Sequence, residues 1–162
     1  MNLQNFKSQL GSLWWRLCAI FVVAVLLNYA WELAHSPLYV GMDFNKAWWH
    51  CFLSSLGDGL DVLIIYTVGW LILGRQDWYE KTGVRGYALI LIMGLIIGIG
   101  IELIAVYKLE RWTYTTQMPL IPGLNVGVTP VAQMLILPVA TFRLVIAWRK
   151  HGRGIIDQKC LV

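Results

Sequence analysis

Glu32, Asp58, Asp61 and Glu102 lie inside stretches that are otherwise apolar, and their spacing is the first pointer to chemistry. In "NYAWELAHSPLY" (28–39), Asn28 and Glu32 are four residues apart and His35 follows three later. In "SSLGDGLDV" (54–62), Ser54, Asp58 and Asp61 are separated by four and three. Glu102 continues the steps of four set by Gly94 and Gly98, and Gln133 stands alone in "PVAQMLILP". On a helix, steps of three and four put side chains on one face, so each stretch offers a polar stripe.

Each stripe is open to more than one reading. Glu32 and His35 form a Glu-x-x-His pair, the type of ligand pair used in di-metal bundle sites, and equally a buried acid beside an interfacial histidine. Asp58 and Asp61 form an Asp-x-x-Asp pair suited to Mg²⁺ and diphosphate oxygens. Paired aspartates also serve as an acid and base in membrane proteases, although such dyads take their acids from two helices. The third reading is protonated acids hydrogen-bonded inside a bundle. The residues themselves leave these open.

The elements that position the stripes follow from composition. The chain has 162 residues, 58% hydrophobic and 14% charged, with a mean hydropathy of +0.62. That exceeds the apolar content of soluble domains and falls short of their charge, so we expect an integral membrane protein with room for about four spans. The apolar runs place the spans at about 14–35, 48–74, 86–107 and 127–148, with 149–162 as a tail. The sequence after the first run lacks a small-x-small cleavage pattern, so that run is read as a retained span. All 13 Lys and Arg except Lys46, Lys108 and Arg111 fall on the side of the termini and the 75–85 loop. By the positive-inside rule both termini are expected in the cytoplasm. The net charge of +4 is absorbed by that bias, so no nucleic-acid partner is expected. Cys18, Cys51 and Cys160 are single, without CxxC spacing. Trp14, Trp15, Trp48, Trp49, Trp70, Trp78, Trp112 and Trp148 lie near span ends, where amphipathic rings favour the interface.

Because odd and even spans run in opposite directions, depth can be compared. Asn28 and Glu32, Ser54, Asp58 and Asp61, Glu102, and Gln133 all fall in the half of the membrane away from the termini. Gly94 and Gly98 make a small-xxx-small stripe that admits a neighbouring helix and turns Glu102 into the bundle. An ionised acid at a span centre costs about 2.5–3.5 kcal/mol, so the group demands compensation by protons, a bound cation or a wet cavity. Lys108 and Arg111 are the cations nearest in level, and reach only Glu102. The loop "KLERWTYTTQMPLIPGLNVG" (108–127) carries Pro119, Pro122 and Gly123, which oppose a regular helix. It is read either as a lid in which Trp112, Tyr114 and Met118 cover the pocket, or as an interfacial anchor.

The segments "NYAWELAHSPLY", "GDGLDV", "IELIAVYKLERWTYTTQMPLIPGLNVGVTP" and "PVAQMLILP" resemble those of a family of small bacterial four-span membrane proteins. The matching positions are Trp31, Glu32, Pro37, Leu38, Tyr39, Gly57 and Asp58, then Glu102, Trp112, Tyr114, Met118 and Pro119. His35 stands where the family pattern carries Gln. The resemblance implies a bacterial inner-membrane location, the fold and the place of the site; it implies no chemistry.

The sequence therefore predicts an all-α, four-span membrane bundle with an irregular loop between spans three and four. Glu32, Asp58 and Glu102 are the candidate catalytic groups. Asn28, Trp31, Asp61, Trp112, Tyr114, Met118 and Gln133 are the candidate substrate-binding residues. The expected ligand is a cation, including a divalent metal ion, or the polar head of a membrane lipid or other amphiphile. The alternative is a non-catalytic transport or assembly subunit.

Overall fold

The computed structural model describes residues 3–159 and contains helices α1 (Leu3–His35), α2 (Phe44–Leu73), α3 (Gly83–Glu102) and α4 (Val128–Lys159). Cys160 and the last residues of the expected tail lie outside the described residues, as do the side chains of Lys7, Arg153 and Lys159. Four helical segments are long and apolar enough to cross a membrane: Gln9–Leu38, Asn45–Leu73, Gly83–Lys108 and Val128–His151. The four-span, all-α architecture expected from hydropathy is what forms. Helix α4 runs on to Lys159, past the expected end of its span.

Local chemistry sets the helix ends. Pro37 lacks the N–H needed to prolong α1, and the chain tightens into a 3₁₀ turn at Ser36–Leu38. Asp43 caps α2 by accepting from the Lys46 N–H at 3.0 Å, which satisfies one of the free donors of a first turn. Gly74 ends α2 at φ 68°, donating to the Trp70 carbonyl at 2.9 Å, in the left-handed conformation that glycine adopts without a Cβ clash. Helix α3 ends in a π-helical turn, Leu103–Lys108, that starts immediately after Glu102.

Helix α1 packs on α2 and α4, and α3 packs on α4; the α2–α3 seam is the loosest of the four. The α3–α4 contact is close because Gly94 and Gly98 face Met134 and Val131, and a Cβ at Gly94 would collide with the Met134 carbonyl. The small-residue stripe thus meets α4, and Glu102, one turn on, is 2% exposed. The outward faces are apolar, with Leu26, Leu60, Ile92, Ile96 and Ile136 all exposed, as a lipid-facing surface requires.

The half of the bundle near the termini is solid. Ile20, Val62, Ile65, Ile90, Phe142 and Val145 pack around Trp78 and Tyr79 from the α2–α3 connection. Trp78 is fully buried, which corrects the expectation of an interfacial ring. Its indole N–H donates to the Tyr66 carbonyl at 3.0 Å, and Gly69 is the gap that admits the ring. A 3₁₀ turn at Trp78–Lys81 folds this residue inward, a rotation that proximity to a span end does not reveal. Arg16 and Arg149 converge on Glu80 below it, tying α1 and α4 to the loop.

Candidate functional site

The other half of the bundle is polar inside. Gln133 on α4 directs its side-chain nitrogen at three oxygens: Asn28 Oδ1 at 2.8 Å, Asp58 Oδ2 at 3.0 Å and Glu32 Oε1 at 3.1 Å. Helices α1, α2 and α4 meet at that single amide. An amide nitrogen carries two hydrogens, so three acceptors cannot all be served linearly; the bonds are shared. Asn28 Oδ1, whose own amide nitrogen is committed to the Ala24 carbonyl, favours this amide orientation, since a flipped group would set oxygen against oxygen. Asn28, wholly buried, donates in turn to the Ala24 carbonyl at 2.8 Å.

Glu102 is held from the loop. The Tyr114 hydroxyl donates to Glu102 Oε2 and accepts from the Gly127 N–H at 3.0 Å. A backbone donor thereby polarises a phenol that donates to a carboxylate, which strengthens the chain of bonds. Burial, then the hydrogen bond to Glu102, pushes the Tyr114 phenol well above its ordinary value. Burial and the nearby Glu102 and Glu32 do the same for Tyr39. Both phenols stay protonated throughout the physiological range.

The loop after α3 folds back over this end. Val40 N–H donates to the Thr113 carbonyl and Thr115 N–H to the Leu38 carbonyl, each at 2.9 Å. These bonds dock the 109–127 loop onto the α1–α2 connection. Tyr39 meets Trp112 edge to face at 6.2 Å between ring centres, and His35 at 5.4 Å. His35, expected at the interface, is only 6% exposed. Its Nε2 lies 3.4 Å from Glu32 Oε2, and neither ring nitrogen has a hydrogen-bond partner.

Between these groups lies a cavity that offers about 70 Å³ to the centres of water-sized molecules, bounded by residues of all four helices and the loop. At roughly 10–15 Å³ per water centre, that is space for on the order of five waters. Glu32, Asp58 and Glu102 are on its wall with Gln133, Ser54 and Trp112, and so are Ser36, Tyr39, His50, Cys51 and Met134. None of the residues of the packed core around Trp78 is on its wall.

No family model, curated protein or solved structure matches this chain. The four-span architecture therefore stands on the structure, while the bacterial family that the motifs resemble and a bacterial origin gain no support from these comparisons.

The candidate residues divide. Asn28 is behind the wall, supporting it through Gln133. Trp31 is half-buried with an unpartnered indole nitrogen and is off the wall. Asp61 is off the wall as well; three residues beyond Asp58 on α2, it sits about 4.5 Å deeper toward the solid half. Met118 is buried at the loop's return, its sulfur accepting from the Thr129 hydroxyl at 3.2 Å. Lys108 and Arg111 are exposed and form no ion pair with Glu102, whose partner is Tyr114. Among the described residues, no three His, Cys, Asp or Glu side chains are grouped closely enough to hold one metal ion. Tyr39, Ser36, His50 and Cys51 were not singled out from the sequence. Tyr39 belongs to a quoted motif, but its place in a connection gave no hint that the loop would press it onto the site.

Proposed function

We propose that this protein binds the polar head of a membrane amphiphile in the cavity between its four spans, with the 109–127 loop as a lid and the pocket on the non-cytoplasmic side. The single observation that carries the reading is a cavity walled by Glu32, Asp58 and Glu102 within the span region, beneath a hydrogen-bonded cap. Acids at that depth are costly unless they serve a ligand, a proton or water. The loose α2–α3 seam supports entry from the side. A packed core filling the other half of the bundle supports binding over conduction by a single chain. Glu32, Asp58 and Glu102 are the groups that would contact the head and exchange protons with it. Asn28, Gln133 and Tyr114 position them, and Trp112 covers it.

The test is mass spectrometry of amphiphiles that co-purify with the protein from a mild, uncharged detergent. The wild type is expected to retain a bound amphiphile that Glu102→Gln and Asp58→Asn retain several-fold less. Equal, non-selective lipid content in all three folded proteins would refute the reading.

A further inference from the structure

We infer a second binding site, independent of the pocket and at the opposite end of the bundle: Arg143 and Tyr87 hold the phosphate of an anionic phospholipid at the α3–α4 seam. Arg143 is exposed on α4, inside a segment long and apolar enough to cross a membrane. A charge in such a segment is costly unless it is paired or reaches the interface. Its guanidinium crosses the seam and donates to the Tyr87 hydroxyl on α3, with its carbon 5.6 Å from the ring centre. Among the described residues it forms no ion pair with a carboxylate. Glu80, the acid of the adjoining connection, is already engaged by Arg16 and Arg149.

What the pair presents is donors and an unbalanced positive charge. A guanidinium carries its N–H groups in a planar fork that matches two phosphate oxygens, and Tyr87 takes only one of those donors. The phenol accepts that bond, so its own hydrogen is left to donate elsewhere. Arg143 and the half-buried Tyr87 therefore offer donors side by side at the outer surface of the seam. A phosphate diester answers both needs, with several acceptor oxygens and the negative charge that Arg143 lacks.

Depth selects a lipid over a free anion. Three contacts align α4 with α3 and the connection before it: Arg149 with Glu80, Arg143 with Tyr87, and Met134 with Gly94. Arg143 is six residues from Arg149, about 9 Å along the helix axis. Trp148, between them, has an exposed ring of the kind that settles at the interface. A long basic side chain rooted about two turns inside that level reaches back to it while its stem stays in the apolar layer. Lys150, exposed and seven residues from Arg143 on the same helical face, adds a second positive charge at the interface, and such charges draw anionic lipids. On the other side of the pair the surface is apolar: Leu91, one turn from Tyr87, and Ile136, two turns from Arg143, are both exposed. A phospholipid lays its acyl chain along that strip, whereas a free phosphate gains nothing from it.

The experiment adds dioleoyl phosphatidylglycerol, dioleoyl phosphatidylcholine or inorganic phosphate to the full-length protein in uncharged maltoside detergent and follows binding by native mass spectrometry. The two lipids share chains and phosphate, but only phosphatidylglycerol is net negative. The wild type is expected to bind phosphatidylglycerol about fivefold more tightly than phosphatidylcholine, and inorganic phosphate should not displace it. Arg143→Gln should abolish the preference, and Tyr87→Phe should roughly halve it. Arg85→Gln removes the same charge from an exposed position on another face of α3, and should leave the preference unchanged. Circular dichroism and gel filtration identify which variants fold; Tyr87→Phe, which keeps its ring, decides alone where Arg143→Gln does not fold. A wild type without preference, a full preference in the folded Arg143 and Tyr87 variants, or an equal loss in Arg85→Gln would overturn the site. Displacement of the lipid by inorganic phosphate would overturn the assignment of its ligand as a phospholipid.

Discussion

Replacing Gln133 by Leu removes the one amide that joins α1, α2 and α4 in the polar half of the bundle. Leu offers no donor or acceptor in its place, so the change is chiefly one of polarity. Two well-directed bonds are the most that the Gln133 nitrogen makes at once. One is of neutral type, to Asn28, for which interhelical bonds in membranes average about 0.6 kcal/mol. The other goes to a carboxyl oxygen and contributes about 1.5–3 kcal/mol if that group is ionised. The acceptor left behind is buried at Asn28 and half-buried at Glu32 and Asp58, and cavity water compensates part of its loss. The expected destabilisation is therefore about 3 kcal/mol. Reversible unfolding in mixed maltoside and dodecyl sulfate micelles, followed by far-ultraviolet circular dichroism, measures it. Adding Glu32→Gln to Gln133→Leu restores an amide donor on the opposite helix and should recover at least 1 kcal/mol. A loss below about 1 kcal/mol for Gln133→Leu, or no recovery in the double variant, would refute the claim that this amide holds the site together.

Three further outcomes are expected. Gly94→Ala sets a methyl group against the Met134 carbonyl; forcing α3 from α4 should cost about 1–3 kcal/mol in the same unfolding assay, whereas Gly57→Ala, with open space at its Cβ position, should not show that steric penalty. Trp78→Ala empties the centre of the solid half and should lower stability by about 3–5 kcal/mol, read as a lower midpoint in a thermal scan. Burial pushes the Tyr79 phenol up to about 12 from 10.0, so the unfolded chain deprotonates first and Tyr79 contributes a stability that is complete below pH 10 and is lost as pH rises to about 12. Its hydroxyl has no hydrogen-bond partner, so Tyr79→Phe should cost little at pH 7 and flatten the wild-type decline between pH 10 and 12, measured as the difference between the two unfolding curves.

Sequence by itself determined which segments cross and which of their faces are polar, because both properties are local. Hydropathy over about 20 residues specifies a span. The steps of four through Asn28 and Glu32, Ser54 and Asp58, and Gly94, Gly98 and Glu102 specify a face. Comparing depth across antiparallel spans also put Glu32, Asp58, Glu102 and Gln133 on one level. Depth, however, leaves open the rotation of each helix about its axis and the path of the chain between helices. Packing decided those: the α3–α4 approach at Gly94 turned Glu102 inward, and the docked loop gave it Tyr114 in place of Lys108 or Arg111. Packing likewise buried Trp78 and His35, left Asp61 and Met118 off the cavity wall, and aimed one glutamine amide at three oxygens. Each of these depends on contacts between residues far apart in the chain, where no local periodicity carries the information.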